Sequence, residues 1–408
     1  MEVTTGAVAS KSDIAIIGAG PHALTLVTNL LQKRKNMRGS LAVFDPSGEW
    51  MSQWKHLFAA LEIPHLRSPA VHHPDLDPYA LRRFAEKRPH ELYPPYDLPG
   101  TQLFEDFCLQ IIRNWQLLDC VIPEKVTRIE PPLRRGWFRL WLSNGRSHLA
   151  RRVVLATGGG KPHLPDWVMQ SHLKYPQERL CHSYQIDLRR LQLNGERVWI
   201  VGGGLTSGHL ALGAIARGAK VTLIARRHLQ EKLFDVDPGW LGPKYLKGFW
   251  AERDWAKRWQ LIQTARNGGS MTPAMLTQLR RLCRSGNLTL LEGYQIVACE
   301  WQGTCWRVIC NTGVEYECDR LWLSTGTHLD VTTEPLLADI LDAYPVTIVN
   351  NLPVLDEHLR LPGCELFIMG KLAALQVGPV AGNLSGARMA CERIVPALTK
   401  PSLALSPL

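Results

Sequence analysis

The run Asp13-Ile-Ala-Ile-Ile-Gly-Ala-Gly-Pro-His-Ala-Leu-Thr-Leu26 constrains the chain more than any other stretch. Apolar Ile14 to Ile17 pass straight into Gly18, Gly20, Pro21 and His22, after which Leu24, Leu26, Val27 and Leu30 follow at helical spacing. A buried parallel strand that turns into a helix has this pattern, and the helix's free N-terminal amides then face a pyrophosphate. Gly18 lets the turn tighten, Gly20 lets backbone approach phosphate, and Ala23 keeps helix and strand close. The next strand-like stretch, Leu41 to Phe44, ends in Asp45, placed to accept from ribose hydroxyls. The opening therefore predicts a dinucleotide site.

The same texture returns. Arg197 to Val201 reads as a strand, Gly202 and Gly204 as a glycine-rich turn, and Thr206 and Ser207 open a small-residue helix. Lys220 to Ala225 is the following strand, but its tip carries Arg226 and Arg227 where the first unit carries an acid. An acid repels a 2′-phosphate, whereas an arginine pair attracts one and can grip it as a fork. The two units together suggest FAD on the first and NADPH, rather than NADH, on the second. Each unit runs on through a strand-and-hairpin region to a strand closed by Thr-Gly: Thr157-Gly158 in the first, Thr325-Gly326 in the second. The Asn144-Gly145 turn is hairpin chemistry. Internal duplication of a nucleotide-binding unit accounts for these repeats. The expected fold is α/β, with two Rossmann-like domains joined by antiparallel β-meanders. The FAD domain spans 1–190 and 320–408, and the NADPH domain, inserted into it, spans 191–319.

Near the C-terminus a strand ends in Gly370, Gly378-Pro379 forms a turn, and Asn383, Leu384 and Ser385 open a last helix. In a protein with two dinucleotides these would meet the flavin ring edge. Trp54, in a loop rich in aromatics and turn formers, is grouped with the cofactor contacts. The Trp-rich stretch from Phe234 to Trp259 covers either a domain interface or a substrate pocket, with interface packing slightly favoured.

Composition excludes several other classes. A chain of 408 residues with 45% hydrophobic and 21% charged residues is globular and needs more than one core. No apolar run approaches the ~18 residues of a membrane span. The net charge of +10 is spread in doublets such as Arg82-Arg83, Arg134-Arg135 and Arg151-Arg152, without a nucleic-acid motif. A solvated basic surface explains it. Ten scattered cysteines without a C-x-x-C fit a reducing cytoplasmic setting. Cys305 and Cys310 sit an odd number of residues apart on an apparent strand, which places the thiols on opposite faces. His72-His73 lack a third ligand at useful spacing, so no metal is expected.

With these motifs in place, the chain resembles the class B flavoprotein monooxygenases, nearest the lysine/ornithine N-hydroxylase branch. Gly18-Ala-Gly-Pro-His-Ala-Leu-Thr-Leu26 is similar to that branch's G-x-G-P-x-x-L-x-L. Leu61-Glu-Ile-Pro-His-Leu-Arg67 is similar to its Met-Gln-Ile-Ser-Phe-Leu-Lys near the flavin, with Glu62 for glutamine and Arg67 for lysine. Asn383-Leu-Ser-Gly-Ala-Arg388 is similar to its C-terminal Leu-Leu-Ser-x-x-Ala-x-Arg. The resemblance implies that NADPH reduces FAD and that molecular oxygen adds to the ring as a peroxyflavin. A small soft nucleophile, an amine nitrogen in this branch, then takes the distal oxygen. It further implies catalytic-site roles for Glu62 near the flavin and Arg67 on a substrate carboxylate or the nicotinamide amide. An NADPH-dependent reductase or oxidase and a non-enzymatic redox-responsive flavoprotein remain the alternatives, and a homo-oligomer stays open.

Overall fold

The computed structural model describes residues 10–133, 136–158, 160–169, 175–266 and 268–405. Arg134-Arg135 and Gly159 lie outside the described residues. Strand β1 (Ser10–Ile17) leads into helix α1 (Pro21–Lys33) and returns as β2 (Leu41–Phe44). Leu24, Leu26, Val27 and Leu30 are fully buried, each contributing roughly 1.5–3 kcal/mol of apolar burial. Pro21 at the first helical turn fits because that turn needs no amide donor there. Trp54, expected in a loop, lies instead on α2 (Ser52–Ala60), stacked on Phe58 at 4.1 Å one turn along. The loop signal at Pro46–Trp50 ends two residues before that helix begins.

Helix α3 (Thr101–Asn114) packs Leu103, Phe104, Phe107, Ile111 and Ile112 inward. Strands β3 (Val121–Ile122), β4 (Val126–Leu133), β5 (Trp137–Leu142) and β6 (Ser147–Leu155) complete the unit, with β4, β5 and β6 forming an antiparallel meander. β6 has two halves. Its start pairs antiparallel with β5, and its full length runs parallel to β1.

The second unit opens with β7 (Leu180–His182), then β8 (Arg197–Val201), α4 (Leu205–Ala216) and β9 (Lys220–Ala225). Helices α5 (Pro243–Ala251), α6 (Trp255–Arg266) and α7 (Pro273–Arg284) follow, then β10 (Leu288–Glu292). A second meander of β11 (Ile296–Trp301), β12 (Trp306–Cys310) and β13 (Glu315–Cys318) leads to β14 (Arg320–Leu323). The chain then returns to the first sheet as β15 (Leu366–Ile368), parallel to β6, and ends in α8 (Leu384–Thr399) against α1.

The two units match bond for bond. Sheet order is β2-β1-β6 in one and β9-β8-β14 in the other, all parallel. Gly18 N donates to Phe44 O at 2.8 Å, and Gly202 N to Ile224 O at 3.0 Å. Ala156 N donates to Ile17 O at 2.9 Å, and Ser324 N to Val201 O at 2.8 Å. Both turns press on the closing strand. A Cβ on Gly18 (φ +99°) would lie 2.6 Å from Ala156 O, and one on Gly202 (φ +144°) 2.4 Å from Ser324 O. Only glycine fits at either position.

Two strands differ from the sequence expectation. Leu180–His182 and Arg320–Leu323 were expected in the first unit, but both hydrogen-bond into the second sheet. Thr-Gly strands close their own nucleotide unit, so β14 belongs with the sheet it closes and β7 adds the edge beyond it. The Trp-rich segment is the reverse case. It leaves the second unit after β9, yet Val236, Trp240, Leu246, Phe249 and Ile262 are buried in the first unit's core.

Candidate functional site

A cavity of about 1610 Å³ lies between the two units, and three helix N-termini open onto it. They belong to α1 (Pro21, His22), α4 (Gly204, Leu205, Thr206) and α8 (Asn383, Leu384, Ser385). None of the three carries a side-chain cap. Uncapped amides and the positive end of the macrodipole make each of them ready for an anion. Convergence of three on one cavity is the architecture of a site for two pyrophosphate-bearing molecules.

The first cradle fits FAD. Nothing lies within 4 Å of a Cβ built on Gly20, so a ligand can reach that backbone. Asp45 stands at the tip of β2, half-buried, accepting from Ala19 N at 3.1 Å and from Ser47 N at 3.0 Å. It therefore fixes the glycine turn and retains acceptor capacity for a ribose. His22 Nδ1 is buried without a partner among the described residues, and the imidazole donates to the Gly382 carbonyl. Burial pushes His22 down to about 4, so it is neutral at pH 7 with an acceptor nitrogen waiting for a donor. Ala23 is fully buried in the first unit's core.

The second cradle has its own cover. Gly202 and Gly204 line the cavity with Thr206, while Ser207 turns inward and donates to Gly204 O at 2.6 Å. Gly269 lies over the turn so closely that a Cβ there would fall 2.8 Å from Gly204 Cα. Arg226 and Arg227 line the cavity beyond the tip of β9, Arg226 exposed and Arg227 half-buried. Thr325 and Gly326 line it from β14.

Other expected contacts fall elsewhere. Trp54 lines the cavity, from its helix. Thr157 and Gly158 are exposed beside the Gly18 turn, outside the cavity lining. Gly370 is outside the lining as well, and Gly378 is buried beneath α5, where its Cβ would meet Leu246 and Phe249. Lys371, Val380 and Gly382 are the residues of that region that reach the cavity.

Both residues given catalytic roles are placed differently. Glu62 is not in the cavity lining. It forms a two-point ion pair with Arg217 at the end of α4, at 2.7 and 2.9 Å, which holds its carboxyl below the usual range. Leu61 beside it is buried in the second unit's core, so this segment turns toward α4. Arg67 lines the cavity, but its guanidinium donates to Lys232 O (2.5 Å), Leu233 O (2.9 Å) and Ser270 Oγ (3.0 Å). Further contacts reach Ser270 O and Asp235 Oδ1, each at 3.3 Å. Both residues tie the first unit to the second. Sequence reasoning missed Lys371, Asp235 and Arg266, which line the cavity from a turn, a loop and a helix end with no motif around them.

Among the described residues no group of three or more His, Cys, Asp or Glu could hold a metal, and no helix is long and apolar enough to cross a membrane. All ten cysteines are free; Cys310 and Cys318 are buried in the second unit, and burial raises both thiols.

Two family models match the chain: FAD-NAD(P)-binding over residues 15–160, and L-lysine 6-monooxygenase/L-ornithine 5-monooxygenase over residues 116–296. An FAD-dependent urate hydroxylase of Xanthomonas campestris is 27% identical over 304 residues, 67% of this chain and 62% of that protein. An L-lysine N6-monooxygenase of Escherichia coli is 26% identical over 258 residues, 57% of this chain and 55% of that protein. The chain thus spans less than two thirds of the length of either relative. The ornithine N-hydroxylase of Kutzneria sp. 744, solved with reduced FAD, NADP+ and L-ornithine, superimposes with a TM-score of 0.77 at 16% identity. That match covers 96% of this chain and 100% of that one. Residues 116–296 thus match the L-lysine 6-monooxygenase/L-ornithine 5-monooxygenase family, and the chain shares the fold of the Kutzneria ornithine N-hydroxylase along 96% of its length.

Proposed function

We propose that the chain is an FAD-dependent, NADPH-consuming monooxygenase that oxygenates a small soft nucleophile, an amine nitrogen. The observation that carries this reading is the single cavity onto which both dinucleotide cradles open. FAD, when bound, supplies the redox chemistry that joins hydride delivery to oxygen activation. The chain supplies position and a dry setting. The α1 amides at His22 and Ala23, over the open Gly20, hold the flavin pyrophosphate, and Asp45 accepts from the ribose. The α4 amides with Thr206 hold the second pyrophosphate, and Arg226-Arg227 take the 2′-phosphate. Neutral His22 offers Nδ1 to a flavin hydroxyl without placing a charge beside it. Trp54, Phe58 and Leu57 form an apolar wall that excludes water from the reacting atoms. We assign residues 10–158 and 329–405 to the FAD unit, and 160–169 and 175–328 to the NADPH unit, following the sheets.

The experiment is NADPH and oxygen consumption by the flavin-loaded chain across a panel of amines, amino acids and thioethers, with product and peroxide measured together. Stoichiometric hydroxylamine with peroxide suppressed is the expected result. Peroxide alone from every compound would make it an oxidase and overturn the reading.

A further inference from the structure

Lys371 stands at the seam between the two cradles. It follows β15 in the first unit, and its stem lies along Gly382, where a Cβ would fall 2.6 Å from Lys371 Cγ and 3.1 Å from its Cε. Gly382 is tied to the first cradle, because His22 donates to its carbonyl. One residue further on, α8 opens at Asn383 with uncapped amides on the same cavity. The Lys371 ammonium reaches across to Thr327 Oγ1 of the second unit, at 3.4 Å. Hydride passing from a nucleotide on the second cradle to a ring held by the first must cross this seam.

The seam carries more positive charge than it balances. Asp235 Oδ1 meets Arg67 at 3.3 Å and its Oδ2 meets Arg266 at 2.8 Å, so one carboxylate already serves two guanidiniums. Lys371, close enough to feel Asp235 and Arg266, forms no ion pair among the described residues. Its cation is half-buried, with the long contact to Thr327 as its hydrogen bond there. A partly desolvated ammonium short of acceptors is unfavourable, and burial together with the Arg266 charge lowers its pKa accordingly. The phosphates do not call for this cation. Each pyrophosphate has its own helix N-terminus, and the 2′-phosphate has Arg226 and Arg227. One negative charge is left without a partner, and it is present only after reduction. A hydride is one proton and two electrons, so its transfer from NADPH to FAD moves one negative charge onto the flavin, shared by N1 and the C2 carbonyl.

We propose that Lys371 is the counter-charge for reduced flavin: with the α8 N-terminus, its ammonium faces the N1–C2 carbonyl edge of the ring and stabilises the charge that hydride transfer brings. The oxidised ring is neutral and gains little from the same ammonium, so the interaction shifts the redox equilibrium rather than holding the cofactor. This rests on FAD occupying the first cradle, not on the fate of the oxygen.

Midpoint potentials of the bound flavin, measured against a reference dye in the parent, Lys371→Met and Lys371→Arg, test the proposal alongside calorimetric affinities for oxidised FAD. Lys371→Met lowers the ratio of reduced to oxidised flavin at a given potential by about tenfold or more, which is about 30 mV for a two-electron couple. Its affinity for oxidised FAD stays close to the parent's, and Lys371→Arg, which keeps the charge, restores most of the potential. Three results overturn the proposal: an unchanged potential in Lys371→Met, a potential that falls equally in Lys371→Arg, or oxidised FAD bound about tenfold more weakly by Lys371→Met, which would make the lysine a holder of the cofactor. A parent chain that takes up no FAD overturns the reading of the first cradle and this proposal with it. Failure of the monooxygenase reading shows separately, as NADPH consumed without oxygenated product while the potentials still report.

Discussion

Replacing Arg67 with methionine separates a structural tie from a catalytic group. The guanidinium donates to the carbonyls of Lys232, Leu233 and Ser270, to Ser270 Oγ and to Asp235, and its side chain is 14% exposed. Methionine keeps much of the stem's volume and removes every donor. Leaving a buried acceptor without a partner costs about 1–3 kcal/mol. Three backbone carbonyls lose theirs, but water reaches part of this edge, so the expected loss is about 3 kcal/mol. Asp235 retains Arg266 at 2.8 Å and adds little. Urea denaturation of parent and variant, each loaded with flavin, reads the difference as a shift in midpoint at constant slope. Arg67→Lys recovers only a fraction, because one ammonium cannot span donors aimed at residues 232, 233 and 270. A variant as stable as the parent to within about 0.5 kcal/mol, yet without turnover, would refute the structural assignment, since surface-like changes fall in that range.

Gly18→Ala and Gly202→Ala each drive a methyl into a carbonyl oxygen at a left-handed backbone position; a loss of about 2–4 kcal/mol with depleted flavin or NADPH affinity respectively is expected from calorimetry and titration. Arg226→Ala with Arg227→Ala should raise KM for NADPH by about tenfold or more and leave KM for NADH nearly unchanged, each lost charge-assisted contact being worth about 1.5 kcal/mol or more. His22 and His73 are both held down to about 4, principally by burial. Their folded pKa values lie below the unfolded 6.5, so the unfolded chain binds more protons between those limits. Stability is thus full above about pH 6.5 and falls toward pH 4, by up to about 1.4 kcal/mol per pH unit for each group. Denaturation midpoints that stay level from pH 7 to 5 would contradict this.

The glycine turns were legible in the sequence because each position has a separate physical demand. Gly18 and Gly202 must avoid the closing strand, and Asp45 or Arg226 must stand at the tip of the next strand, so local spacing alone exposes them. Sheet membership was less legible. Leu180–His182 is three residues long and carries no periodicity, and its pairing with β14 joins positions 180 and 321. Glu62 and Arg67 sit in a motif whose neighbours resemble a flavin contact, yet their side chains are claimed by Arg217 and by carbonyls far along the chain. Lys371, Asp235 and Arg266 come together only when three unconnected segments fold onto one wall, and no local pattern marks such a meeting.

The arm that leaves β9 and buries Trp240, Leu246 and Phe249 in the other unit's interior has a consequence for how this molecule can be taken apart. A fragment cut to the second sheet would carry that arm into water with its apolar face bare, and the remaining piece would be left with a gap of matching shape. The halves are therefore lodgers in each other's foundations, and neither can be exchanged for a counterpart from another protein unless residues 236–262 travel with their host.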